Sequence, residues 1–243
     1  MNNNPKAVIF DFGGTLMDDT PFDLEPAMEQ LRSLAVNGQC VTTAQLCEIW
    51  ERMNTFLKAA RAGGSPFRVE SPLPALFRCV FDIAGLEFTQ DMQELEYQFD
   101  MHDCVRTPTP FMHELIAFLN ERQILTAVIS NIEMTGAAMR RAIDDVYPEN
   151  RFLHIITSAD YCLTKPAPFM FEAAAKKLGV STGDCFYCGD SFVSDVGGAK
   201  ASGMQAVHYV REAEKALEIS DGVITVNSWR ALIDYLNGAD CGG

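Results

Sequence analysis

From residue 109 onward the chain alternates between short apolar runs and stretches of helical periodicity, and few architectures accommodate that alternation. Apolar runs suited to buried parallel strands occur at residues 6–11, 124–130, 152–157, 184–189, 205–210 and 222–226. Helix patterns fall between and after the later runs, at 109–121, 134–144, 167–178, 193–202 and 228–237. Parallel neighbours cannot be joined by a tight turn, so each strand needs a crossover, and the intervening helices supply it. The order predicts an α/β fold built on a Rossmann-like, doubly wound parallel sheet.

Residues 18–104 read differently, with helical periodicity and no convincing strand between about Pro26 and Asp103. Thr42-Thr43-Ala44-Gln45 fits a capping box, in which a threonine hydroxyl and a glutamine side chain satisfy each other's main-chain N–H groups. The helix it opens carries Leu46, Ile49, Trp50, Met53, Phe56 and Leu57 along one face. Further helices are expected near 26–36, 73–84 and 88–101. The expected organisation is a catalytic core from residues 1–17 and 105–243, with an all-helical cap domain, 18–104, inserted after the first strand. Both joints, near Met17 to Pro21 and Cys104 to Pro110, contain proline and suit a hinge. A bundle that leaves and rejoins the sheet beside one strand end is placed to act as a lid.

Charge narrows the partners. Nineteen basic against thirty-three acidic residues leave a net charge of −14, which repels nucleic acid and acidic membranes unless a basic patch intervenes. Arg140-Arg141 and Lys176-Lys177 are only short pairs within amphipathic helices. An anionic substrate must therefore be small and held by a metal or a few placed cations. No apolar stretch is long enough to span a bilayer, and Met1-Asn2-Asn3-Asn4-Pro5-Lys6 lacks signal-peptide features, so the expected setting is cytoplasmic. The eight cysteines are scattered as reduced thiols would be, and Cys185 and Cys188, a CxxC pair inside a strand pattern, are expected to be buried structural thiols.

Four signals sit at or just beyond predicted strand ends. They are Asp11 in Asp11-Phe12-Gly13-Gly14-Thr15, the pair Ser130-Asn131, Lys165 in Thr164-Lys165-Pro166, and Asp190 with Asp195 in Gly189-Asp190-Ser191-Phe192-Val193-Ser194-Asp195. An acid ending a buried strand meets its substrate in the crevice where α/β proteins place their chemistry. Two such acids and a third close by suggest a divalent cation site. In this order, with a helical insertion after the first, the four motifs resemble those of the haloacid dehalogenase-like hydrolase superfamily, in a member with a helical cap. The resemblance covers nearly the whole chain.

The resemblance implies roles. Asp11 would be the nucleophile, forming an aspartyl-phosphate that splits one difficult displacement into two easier ones. Mg²⁺ would bind Asp11, the main-chain carbonyl of Gly13 and Asp190, with Asp195 as a ligand through water or an acceptor behind them. Lys165 would neutralise Asp11 and the phosphoryl group, and Ser130 would donate to the phosphoryl oxygens as charge shifts in the transition state. Gly14, Thr15 and Asn131 complete the expected phosphoryl contacts. Substrate choice would fall to the inserted region, where Arg61 and Arg68 flank a glycine-rich turn and are candidates for an anionic or hydroxylated substrate. The implied substrate is a small phosphorylated metabolite.

One position departs from the pattern. Most phosphatases of this superfamily carry a second aspartate two residues after the nucleophile, as general acid and then general base; here that residue is Gly13. Losing such a group costs on the order of 10² to 10⁴ in rate. Three readings stay open: a phosphohydrolase whose leaving group is good or whose proton comes from elsewhere, a relative with different chemistry such as phosphonate cleavage, and a low-turnover module that binds a phosphorylated ligand. Family dehalogenases lack the second aspartate too, but usually also the first acid of the last motif, so Asp190 with Asp195 argues against dehalogenation. Lys58, the only lysine from residue 18 to 105, is the one candidate for a phosphonatase-type Schiff base.

Overall fold

The computed structural model describes residues 4–61 and 69–238, with only the main chain of Ala60 and Arg61. Strand β1, Ala7–Phe10, is buried at every residue and is an interior strand, third in order, of a seven-stranded sheet. It runs straight into the loop from Asp11 to Leu16, then β2, Met17–Asp19. Four helices follow: α1, Leu24–Leu34; α2, Thr43–Arg61; α3, Leu73–Ala84; and α4, Met92–Asp103. Strand β3, Arg106–Pro108, returns the chain to the sheet region. From there the order is α5, Met112–Glu121; β4, Leu125–Ser130; α6, Gly136–Val146; β5, Phe152–Thr157; a short α7, Ser158–Tyr161; and α8, Phe169–Leu178. The last third holds β6, Cys185–Gly189; a π-helical turn at Phe192–Val196 running into α9, Gly197–Ala201; β7, Gln205–Tyr209; β8, Leu217–Ser220; β9, Val223–Val226; and α10, Trp229–Leu236.

The sheet order is β5-β4-β1-β6-β7-β9-β8, with every pairing parallel except that of β8 to β9. All six runs expected as strands are strands. The two-residue period of a strand divides the core into two layers. Val8, Phe10, Val128, Phe186 and Cys188 pack on one face with α5, α6 and α10. Ala7, Ile9, Ala127, Ile129, Cys185 and Tyr187 pack on the other with α8 and α9. Cys185 and Cys188, three apart on one strand, thus belong to opposite layers as buried free thiols and cannot share an ion or a disulfide. Burial pushes the Cys185 thiol up to about 11, far from a reactive thiolate.

The helices between the joints bury a cluster of their own. Ala27, Met28, Leu31, Trp50, Phe77 and Phe99 are among its members, and no described residue outside 24–99 belongs to it. The expected capping box is present, with Thr42 N–H donating to Gln45 Oε1 at 2.9 Å and Gln45 N–H to Thr42 Oγ1 at 3.3 Å. The helix expected from residue 88 begins at Met92 because Asp91 caps it, accepting from Glu94 N–H at 2.8 Å. The helix expected from 109 begins at Met112, after Phe111 adopts a left-handed φ of 65°.

Three strands were not expected. Strands β2 and β3 pair with each other, antiparallel, with Met17 opposite Pro108 and Asp19 opposite Arg106. The two joints of the helical insertion are therefore one ribbon. The third, β8, is an exposed antiparallel edge. No helix among the described residues is long and apolar enough to cross a membrane.

Candidate active site

Strand β1 stands where the strand order reverses: the chain lays β4 and β5 on one side of it and β6 and β7 on the other. The carboxyl ends of β1, β4 and β6 consequently bound one crevice, the place where open α/β sheets bind ligands. Asp11 follows β1 directly, its N–H bonded to the Cys188 carbonyl at 2.8 Å. Ser130 and Asn131 end β4, and Gly189 and Asp190 end β6. The expected residues Asp11, Ser130, Asn131, Lys165, Asp190 and Asp195 thus converge from elements far apart in the chain.

Lys165 is the hub. Its ammonium donates to Asp11 Oδ1 at 2.6 Å, Asp195 Oδ1 at 2.7 Å, the Tyr187 hydroxyl at 3.0 Å and the Ile129 carbonyl at 3.3 Å. The Lys165 side chain is 2 % exposed and that of Asp195 1 %, so this charge is held by fixed partners rather than water. Burial alone would lower the lysine's pKa, but Asp11 and Asp195 raise it overall and keep it protonated. For Asp11 burial dominates and lifts the carboxyl to about 6, with Lys165 pulling down and Asp195 pushing up. Asp190, at the mouth, is also raised, first by burial and then by Asp195. Three carboxylates against one ammonium leave the site short of positive charge.

Two local devices hold these groups in place. Asn131 spends both ends of its amide on the Lys165 main chain, accepting from N–H at 2.7 Å and donating to the carbonyl at 3.1 Å. It is fixed to the lysine loop rather than pointed at the crevice alone. Asp195 sits in the π turn, where its Oδ2 accepts from Ser191 N–H at 3.0 Å and its Oδ1 from the Tyr187 hydroxyl at 3.1 Å. Gly189 makes room for it, since a Cβ there would lie 2.4 Å from the Asp195 side chain. Gly14 does the same for Asp190: its φ is +69°, and a Cβ would meet Asp190 Oδ2 at 2.4 Å.

Carboxylate oxygens of Asp11, Asp190 and Asp195 lie within 4.8 Å of one another, a set of hard donors suited to a divalent cation. Both Asp195 oxygens already accept hydrogen bonds, which suits a place behind the ion better than directly on it. Thr15 is buried, its carbonyl accepts from Thr109 Oγ1 at 2.6 Å, and its own Oγ1 has no partner among the described residues. Arg68 lies outside the described residues, as does the side chain of Arg61.

Two cavities meet at the loop after β4. One of about 630 Å³ is lined by Glu70, Asn131, Thr164, Lys165 and Ser194; the other, about 440 Å³, by Trp50, Lys58, Phe99, Asp100 and Arg106. Ile132 and Glu133 line both.

Tyr187, Arg106 and His208 belong to this neighbourhood without having been singled out from sequence. Tyr187 had a legible signal, since alternation along β6 places it on the same face as Cys185, toward α8. Arg106 had none; its guanidinium contacts Asp100 at 2.8 Å, Asp103 at 3.5 Å and Asp19 at 3.4 Å only through the tertiary fold. His208 Nε2 lies 3.0 Å from the Asp190 carbonyl and supports that loop.

A family profile described as haloacid dehalogenase-like hydrolase matches residues 5–203. A phosphoglycolate phosphatase from Xylella fastidiosa (strain 9a5c) is 26% identical over 209 residues, covering 85% of this chain and 80% of the relative. Among solved structures, a HAD phosphatase from Thermococcus onnurineus superposes with a TM-score of 0.55 at 20% identity, covering 96% of this chain and 98% of the other. A 2-haloacid dehalogenase from Pseudomonas syringae pv. Tomato DC3000 does so with a TM-score of 0.56 at 21% identity, covering 96% and 99%. At such identities the structural likeness speaks for the fold alone.

Proposed function

The chain belongs to the haloacid dehalogenase-like hydrolases, and we propose that within them it hydrolyses a small phosphate monoester through an aspartyl-phosphate on Asp11. The observation that carries this reading is the buried triad of Asp11, Lys165 and Asp195, with Lys165 Nζ 2.6 Å and 2.7 Å from the two carboxylates. A lysine so placed holds Asp11 Oδ1 and offsets part of the carboxylate's charge. The phosphatase relative adds support for phosphorus as the electrophile.

In this reading Asp11, Asp190 and the Gly13 carbonyl hold Mg²⁺, with Asp195 behind them. The ion, when bound, offsets the negative charge of carboxylates and phosphate and polarises the phosphoryl oxygens. The protein's own groups do the rest. An Asp11 oxygen attacks phosphorus while Lys165 screens the charge of both partners. The Ser130 hydroxyl and Thr15 Oγ1 offer donors to phosphoryl oxygens. Asn131 keeps the lysine loop fixed, which limits reorganisation as charge moves. Residues 18–104 form a helical cap over the crevice, with the core in 1–17 and 105–243, and its glycine-rich loop with Arg61 and Arg68 selects the substrate. The setting is the cytoplasm, consistent with free thiols at the seven described cysteines.

The test is hydrolysis of p-nitrophenyl phosphate with Mg²⁺ and with EDTA. We expect activity only with the ion, and a loss of at least about 10³-fold in Asp11→Asn, the scale on which a nucleophile's removal is felt. An Asp11→Asn enzyme that keeps its rate refutes the covalent step.

A further inference from the structure

We propose that Asp19 supplies the proton-transferring carboxylate that Gly13 lacks; the inference rests on the phosphohydrolase reading above. A side chain starting at Gly13 would have its Cβ 3.3 Å from Asp19 Oδ2, the single non-neighbouring heavy atom of the described residues within 4 Å of that point. Among the described residues, the atom facing the space left by the missing side chain is thus a carboxylate oxygen from six residues further along.

The fold explains the placement. The bridge between Gly13 and Met17 turns the loop back on itself, so β2 starts beside Gly13. Alternation along β2 then separates its two acids: Asp18 pairs with Arg211, while Asp19 lies opposite Arg106 in the ribbon. Arg106 Nε stands 3.4 Å from Asp19 Oδ1. One oxygen is thus anchored and the other, Oδ2, turns toward Gly13. Arg106 also lines the 440 Å³ cavity of Trp50 and Phe99. Asp19 therefore lies between Gly13, two residues after Asp11, and an arginine that lines the space available to the organic part of an ester.

As the Asp11 oxygen bonds to phosphorus, the bond from phosphorus to the ester oxygen breaks, and that oxygen takes the proton of the Asp19 carboxyl and leaves as the alcohol. Water then attacks phosphorus and gives a proton to the Asp19 carboxylate. The bond between Asp11 and phosphorus breaks, phosphate departs, and both aspartates return to their starting forms.

The experiment compares glycerol 1-phosphate, a poor leaving group, with p-nitrophenyl phosphate, a good one, in rapid-mixing assays of Asp19→Asn. We expect kcat/KM for the alkyl ester to fall by about 10² to 10⁴. With the aryl ester, phosphorylation needs no acid but breakdown needs the base, so nitrophenol appears as a burst of about one per enzyme before a slow steady rate. Adding Gly13→Asp to Asp19→Asn should recover the alkyl ester rate at least tenfold, a rescue that a merely structural Asp19 does not allow. Should Asp19→Asn fold poorly by circular dichroism, the double variant carries the test alone, by whether it processes the alkyl ester within tenfold of wild type. Equal losses in phosphorylation by both esters, a fall under threefold, or no rescue overturns the assignment of Asp19 while leaving Asp11 untouched. Wild-type protein without metal-dependent hydrolysis of either ester removes the phosphohydrolase reading itself.

Discussion

Single residues decide how charge is distributed around Asp11. Lys165 serves two carboxylates at once, and it is buried with Asp195, so removing its ammonium leaves a carboxylate enclosed without its counter-charge. Breaking a buried pair in this way costs about 3–5 kcal/mol. We expect Lys165→Met to lose that order of stability in urea titrations at neutral pH without metal, and to recover part of it in excess Mg²⁺. A loss under about 1 kcal/mol would mean that Asp195 reaches water. Gly14 and Gly189 matter for the opposite reason, because each leaves the space into which an acid of the last motif fits. These were legible as glycines beside acids. That Asp19 Oδ2 faces Gly13 was not, since nothing local relates residues six apart across a turn.

At the scale of elements, the ribbon of β2 and β3 ties both ends of the helical insertion together, and Arg106 on β3 gathers Asp19, Asp100 and Asp103 around it. Burial pushes the Asp100 carboxyl up to about 7, against the pull of Arg106 and with Asp103, Asp19 and Glu96 adding to the rise. A carboxyl raised in the fold favours the folded state while protonated, fully below its ordinary value near 4, and that contribution is lost as pH climbs toward 7. Wild-type stability relative to Asp100→Asn should therefore decline between pH 4 and pH 7, by something on the order of 2–4 kcal/mol. Denaturant midpoints at several pH values check it; parallel curves would show that Arg106 keeps Asp100 ionised throughout. A second link joins α4 to α6, where buried Glu96 accepts from Thr135 N–H at 2.9 Å and from Thr135 Oγ1 at 2.7 Å. Helix α4 thus docks on the start of a core helix by an acid at its N-cap residue.

For the whole molecule, the sheet order sets the site by ending β1, β4 and β6 at one crevice, and a net charge of −14 makes a bound cation thermodynamically welcome there. Millimolar Mg²⁺ should raise the melting temperature, by an increment that follows ion concentration over affinity, and the shift should vanish in Asp190→Asn. An unchanged shift in that variant would place the ion elsewhere. Sequence alone determined the six parallel strands, the helices between them and the capping box at Thr42, because hydrophobic period, glycines and capping residues act within one element or its immediate neighbours. It did not disclose the three-residue strands β2 and β3, too short to show a period, or the edge strand β8, whose Glu218 and Ile219 are exposed. Only the tertiary structure brought Tyr187 and Asp195 to Lys165, three acids to Arg106, and Asp19 to Gly13. Those contacts join side chains across separate elements, and their distances follow from how layers pack, a sum over the whole core that no short stretch of sequence contains.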